Sequence, residues 1–193
     1  TYVKKPELVD ALRKKNKKVW WYVCNFPRPP EPTLMLEVPA CVPRLLMGMM
    51  SAKYKPDGFL YYSLVIWKQA PVDEGPRTAW NPATYATDNE DGNLFVPGRN
   101  RQVLPTIRIE NFRDGVEDLW YYTLLRQSLK QAKTGGKNVP TDLMKAAKAA
   151  LSVPDSIVGN TGDYTTDPAL IRAERLKIAR LIEAFRKSES DSR

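Results

Sequence analysis

Five side chains in this sequence could meet a ligand without doing proton chemistry: Tyr22, Asn25, Tyr62, Trp67 and Arg108. The tyrosines and the tryptophan offer flat aromatic faces, and the phenols, the carboxamide and the guanidinium add hydrogen-bonding groups. That combination suits a sugar ring or an aromatic ligand. None of the five is fitted to move a proton. Indole has none to exchange, a carboxamide is no base, a guanidinium stays charged and an ordinary phenol titrates too high. The chain has no histidine, so neither a Ser nor a Cys triad with a His base can be assembled within it, and His-containing zinc sites are excluded. Cys24 and Cys41 are too few for a thiolate cage and make no disulfide framework. Gly135 and Gly136 lack the Lys-Ser/Thr partner of a phosphate loop, and no cofactor is expected.

Two strands would position these residues. VWWYVCN (19–25) and the run at 59–67 within GFLYYSLVIWK are apolar on both faces, as a parallel strand covered by helices requires. Trp21, Tyr22 and Asn25 fall near the carboxyl end of the first, and Tyr61, Tyr62 and Trp67 near that of the second. For any one of these aromatics, a plain core role stays open. Before the first strand, a short amphipathic helix is expected over 4–15, stopped near Asn16. After it, FPRPPEP (26–32) breaks the strand. A helix follows over 43–54, with Pro43 in its first turn and Met47, Met49 and Met50 as packing residues. This is βα order, and the simplest fold that contains it is an α/β fold with a parallel sheet.

The connection over 68–105 is long enough to suggest that it lines a functional site, and 94–96 reads as a short strand within it. The charge-dense helix RIENFRDGVEDLWYYTLL then places Phe112, Val116, Trp120 and Leu124 four apart, with Leu119 and Tyr122 broadening the stripe. Arg113, Glu117 and Asp118 are expected off that stripe. Asn111 with Asp114 reads as the helix start, and Gly115 would admit another backbone. Arg108, Glu110, Arg113 and Asp114 form either an exposed charged helix start or a hydrogen-bonded cluster joining loop to helix. Arg108 could bridge Glu110 or reach a ligand oxygen. A boundary falls at 134–138, followed by an Ala/Lys helix over 143–151 and an irregular stretch over 152–166. A last helix, capped by Asp167, carries Ile171, Ile178, Ile182 and Phe185 on one face, and the final KSESDSR is expected to fray.

The net charge of +8 raises the question of nucleic acid. KKNKK (14–18) is the dense basic run, and it reads as a solvated helix end whose cations complement the helix dipole, so no specific nucleic-acid partner is expected. No window approaches 18 uncharged apolar residues, and no membrane span is read.

WWYVC…P (20–27), Arg44, DGFLYYSLVIWK (57–68), GNLFVPG (92–98) and LPTIRIENFRDGVEDLWYYTLL (104–125) together resemble the carboxyl-terminal part of the family 123 glycoside hydrolases and their relatives. The resemblance implies late βα units of a (β/α)8 TIM-type barrel over 1–133, a helical tail packed on it over 134–187, and a disordered end over 188–193. It also implies hydrolysis of β-linked N-acetylhexosaminides by a retaining, substrate-assisted route. There an Asp orients the substrate's acetamido group as internal nucleophile, and the adjoining Glu is general acid and base. That pair belongs on a middle strand upstream of Thr1. The adjacent acids present here, Asp73-Glu74, Glu90-Asp91 and Glu117-Asp118, fall in a loop, at a turn and in a helix. The chain is therefore expected to be part of a larger protein and inactive alone. It would contribute Tyr22, Asn25, Tyr62, Trp67 and Arg108 to the substrate wall and no catalytic residue. Its partners would be the carbohydrate substrate and the amino-terminal portion of the same protein. The competing expectation is a non-catalytic carbohydrate-binding or structural protein of the same fold.

Overall fold

The computed structural model describes residues 6–24, 26–36, 38–65, 83–85, 88–89, 94–97, 102–134 and 139–190. The chain opens with α1 (Pro6–Lys14), closed off by Asn16 in the left-handed region at φ 59°, a conformation that asparagine tolerates better than most residues. Arg13 on α1 reaches the carbonyls of Tyr54 and Lys55, tying this helix to the end of the next helical segment. Strand β1 (Trp20–Val23) follows, and the chain then turns through the proline-rich loop into one helical run over 42–54. That run consists of α2 (Val42–Leu45), a wider π-helical turn (Leu46–Met50) and α3 (Ser51–Tyr54). Pro43 sits in its first turn, where its missing N–H costs nothing, and Met47, Met49 and Met50 are buried as packing residues. Strand β2 (Gly58–Tyr61) then pairs parallel with β1, in the register Trp20 to Gly58 and Tyr22 to Leu60. Asp57 joins the two strand starts: its carboxylate accepts the Val19 N–H at 2.8 Å and lies 3.5 Å from Lys18. Those contacts, the Val19 bond first, hold its carboxyl below the usual aspartate range.

This strand–helix–strand unit is real, but the expected barrel is not. Among the described residues the strands make three separate two-stranded sheets and close no barrel. Besides β1 and β2, β3 (Ala83–Tyr85) pairs antiparallel with β4 (Asp88–Asn89), and β5 (Phe95–Pro97) pairs antiparallel with β6 (Val103–Pro105). The strands expected over 19–25 and 59–67 are only four residues long. Their apolar residues also do not earn the inference drawn from them. Trp21 and Val23 enter the core, whereas Trp20, Tyr22 and Leu60 stand open to solvent. Among the described residues, helices cover one face of this pair, not both. The bulk of the core lies instead among helices.

The centre of that helical core is α4 (Ile107–Thr134). It starts four residues before Asn111, because Thr106 closes its first turn: the Thr106 hydroxyl accepts the Ile109 N–H at 3.4 Å and donates to the Leu94 carbonyl at 2.8 Å. Asn111 lies inside the helix and donates to the Ile107 carbonyl. The buried face differs from the expected stripe. Arg108, Gly115, Asp118, Tyr122, Leu125 and Leu129 are inside, while Trp120 and Leu124 are exposed. At Gly115 the expected close approach is made by α2. A Cβ there would fall 2.5 Å from the Arg44 carbonyl oxygen and 2.9 Å from the Met47 Cβ.

Two further helices pack beside α4: α5 (Thr141–Ala150) and α6 (Pro168–Ser190). The Asp167 side chain accepts the Ala169 N–H at 2.8 Å and so caps α6. Ile171, Ile178, Ile182 and Phe185 are all buried, as their spacing predicts. The end expected to fray is helical through Ser190. Between α5 and α6 the irregular loop is held by Lys53, whose ammonium donates to the Val158 and Gly159 carbonyls and to Asp155 at 2.8 Å.

Candidate functional site

Alternation along β1 separates two environments. Trp21 faces the helices, its ring centroid 5.9 Å from that of Tyr54. Trp20 and Tyr22 face outward, 59% and 48% exposed. The register sets Tyr22 beside Leu60, which is 54% exposed, and Tyr62, just past the end of β2, is 48% exposed. The Trp20 indole lies over Gly58, where a Cβ would sit 2.5 and 2.6 Å from two ring carbons, so only glycine leaves room for it. An open aromatic surface results, with Tyr22 and Tyr62 towards its carboxyl-terminal half. Neighbouring exposed aromatic and apolar side chains make this face the candidate site.

Two of the other residues expected there, Asn25 and Trp67, lie outside the described residues. Arg108 is placed elsewhere. It is 6% exposed at the start of α4, and its guanidinium donates to the Met35 carbonyl at 3.1 Å and the Val38 carbonyl at 3.0 Å. Those bonds anchor the loop that follows the proline-rich segment. Glu110 pairs instead with Arg113, on the helix surface.

The acidic pair Glu117-Asp118 is held in a second cluster, where α2, α4 and α6 meet. Asp118 is 1% exposed, accepts two bonds from Arg44 at 2.7 and 3.2 Å, and lies 3.3 Å from Arg175. Glu117 accepts from Arg175 at 2.7 Å. Burial pushes the Asp118 carboxyl up, against the opposing pull of Arg44 and then Arg175. One turn further along, the buried Tyr122 hydroxyl donates to Glu174 at 3.0 Å, and Lys177 stands 2.6 Å from the same carboxylate. Burial, followed by Glu174, drives the Tyr122 phenol far above its ordinary range. Arg44 and Arg175 join Asp118 and Glu117 of α4 to α2 and α6, and Tyr122 joins α4 to Glu174 of α6, so these acids are engaged in holding helices together.

Sequence reasoning missed Trp20 as a member of the open face and Glu174 and Arg175 as partners of α4. The signal for Glu174 was present: it sits three residues from Ile171 and four from Ile178, a carboxylate inside an apolar stripe, which calls for a buried partner. The signal for Trp20 was the Trp20-Trp21 dipeptide, in which strand alternation must send one indole outward.

In comparison with known proteins, the family model for the glycoside hydrolase 123 catalytic domain matches residues 1–126. A search of curated proteins finds no match. The matched segment contains the open face and the Glu117-Asp118 pair of α4, and it ends before α5 and α6 begin.

Proposed function

Because the chain belongs to the glycoside hydrolase 123 family, we propose that its open aromatic face forms part of the wall that binds β-linked N-acetylhexosaminides. The observation that carries this reading is the pair Tyr22 and Tyr62, both half-exposed, Tyr22 on β1 beside the exposed Leu60 of β2 and Tyr62 just past the end of β2. Aromatic faces pack against the apolar face of a pyranose, and the phenol oxygens can hydrogen-bond its rim. In this reading Asn25 and Trp67, which lie outside the described residues, belong to the same wall. Arg108 acts one step back, by fixing the 35–38 loop through the carbonyls of Met35 and Val38.

The chemistry assigned to this family is retaining and substrate-assisted. The acetamido oxygen attacks the anomeric carbon, an Asp holds the acetamido group in place, and the adjoining Glu protonates the leaving oxygen and then activates water. The residues named here bind and orient the sugar and do no proton transfer; the carboxylate pair comes from outside the described residues. A second reading is a non-catalytic carbohydrate-binding relative, in keeping with Glu117 and Asp118, the adjacent acids in α4, being held by arginines and serving no catalytic role.

The test is steady-state hydrolysis of an aryl β-N-acetylhexosaminide by the protein that contains this chain, with Tyr62→Ala and Trp67→Ala. Each is expected to lower kcat/KM about tenfold, the equivalent of about 1.4 kcal/mol, with an unchanged thermal midpoint. Kinetic constants equal to those of the unmodified protein would remove this face from the substrate site. Saturable sugar binding without turnover would select the second reading.

A further inference from the structure

We propose that the groove between α5 and α6 seats about two turns of an acidic amphipathic helix from a protein partner. The groove has a volume of about 500 Å3 and lies wholly beyond residue 126, so it does not rest on the glycosidase reading. Ala146, Ala149 and Ala150 of α5 form one side, and Ala173, Lys177 and Arg180 of α6 form the other.

Shape selects a helix. The small side chains of Ala146, Ala149 and Ala150 on α5 and Ala173 on α6 let a third helix approach to the 8–10 Å typical of packed helices. The stretch from Ala173 to Arg180 runs for roughly 10 Å along α6, about two helical turns. Leu170, one turn before the groove on α6, is exposed and extends its apolar line.

Charge selects acids. Residues 126–187 hold twelve Lys and Arg against six Asp and Glu, so this part of the chain carries most of the net charge of +8. Lys177 already stands beside Glu174. Arg180, three residues further along the same side of the groove, has no hydrogen bond or ion pair among the described residues. A docked helix bearing carboxylates on its flank would neutralise Arg180 while its small apolar face enters the groove. A second copy of this chain would bring the same cations to the same surface, and like charges would oppose it.

The experiment is fluorescence anisotropy of a labelled amphipathic Glu/Ala/Leu helical peptide, titrated with the full 193-residue chain. A twin with every Glu replaced by Lys serves as control. Saturable binding of the acidic peptide and none of the twin is expected. Arg180→Glu should weaken binding at least tenfold, about 1.4 kcal/mol. Ala146→Leu combined with Ala149→Leu, which fills the groove at two exposed helix positions with little change in propensity, should abolish it, with circular dichroism confirming an intact fold. The proposal is overturned if the acidic peptide does not bind, or if filling the groove leaves its affinity unchanged. It is equally overturned if duplex DNA or dodecyl phosphate saturates the groove and the peptide does not compete.

Discussion

The junction where α2, α4 and α6 meet and the open face of β1 and β2 invert the usual arrangement of polar and apolar groups. Inside the junction are an aspartate, a glutamate and a buried tyrosine hydroxyl, each with partners; on the sheet face, a tryptophan, two tyrosines and a leucine meet water. The comparison separates two ways of using side chains. A buried charge network contributes specificity of packing, because its members must all be present at once, and removing one strands the others. An exposed aromatic face contributes little to folding and is available for contact with something else. Stability of this chain therefore resides in the helical junction, and the proposed recognition surface lies on the sheet.

The largest expected effect is at the crossing point. Gly115→Val places side-chain atoms where the Arg44 carbonyl now sits, forces α2 away from α4, and is expected to cost about 3 kcal/mol or more. Urea unfolding that shows an unchanged midpoint would mean that the junction does not organise the fold, and the contrast would collapse.

Next comes Asp118→Ala, expected to cost about 3 kcal/mol because Arg44 and Arg175 are left without their shared carboxylate. Its pH dependence sharpens the point. Burial raises the Asp118 carboxyl in the folded state, so the native chain keeps a proton that the unfolded chain has lost. This stabilising contribution is full below the ordinary aspartate range and disappears as pH rises through the raised value. The stability of the wild-type chain relative to Asp118→Asn should accordingly fall across that window. A difference that grows with pH would show that the arginines outweigh burial.

Smallest are the exposed positions, where Arg113→Ala and Tyr22→Ser are each expected to shift stability by less than about 1 kcal/mol. Arg113 is a surface residue with Glu110, Asp114 and Glu117 around it, and Tyr22 is half-exposed. A larger loss at Tyr22 in a thermal melt would move the open face from recognition to folding.

Much of this was legible in the chain itself. Local signals settled the elements: Pro43 in the first turn of its helix, Asn16 as a left-handed stop, Asp167 as the cap of α6, and the apolar period of Ile171, Ile178, Ile182 and Phe185. Each depends on a few neighbouring residues and on backbone geometry that sequence encodes directly. The linear motifs from Trp20 to Leu125 likewise carried the family. Two things depended on distance along the chain. The apolar runs at 19–25 and 59–67 look the same whether helices cover both faces or one, and only the packing of the helical run over 42–54 on a single face decided that Trp20 and Tyr22 stay outside. Which face of α4 turns inward was decided in the same way. By periodicity Trp120 belongs inside and Asp118 outside, but Gly115 lets α2 come close, and Arg44 and Arg175 then arrive from 74 and 57 residues away to make burial of Asp118 tolerable. A charge is buried only where its partner is, and the location of that partner is a property of the tertiary structure.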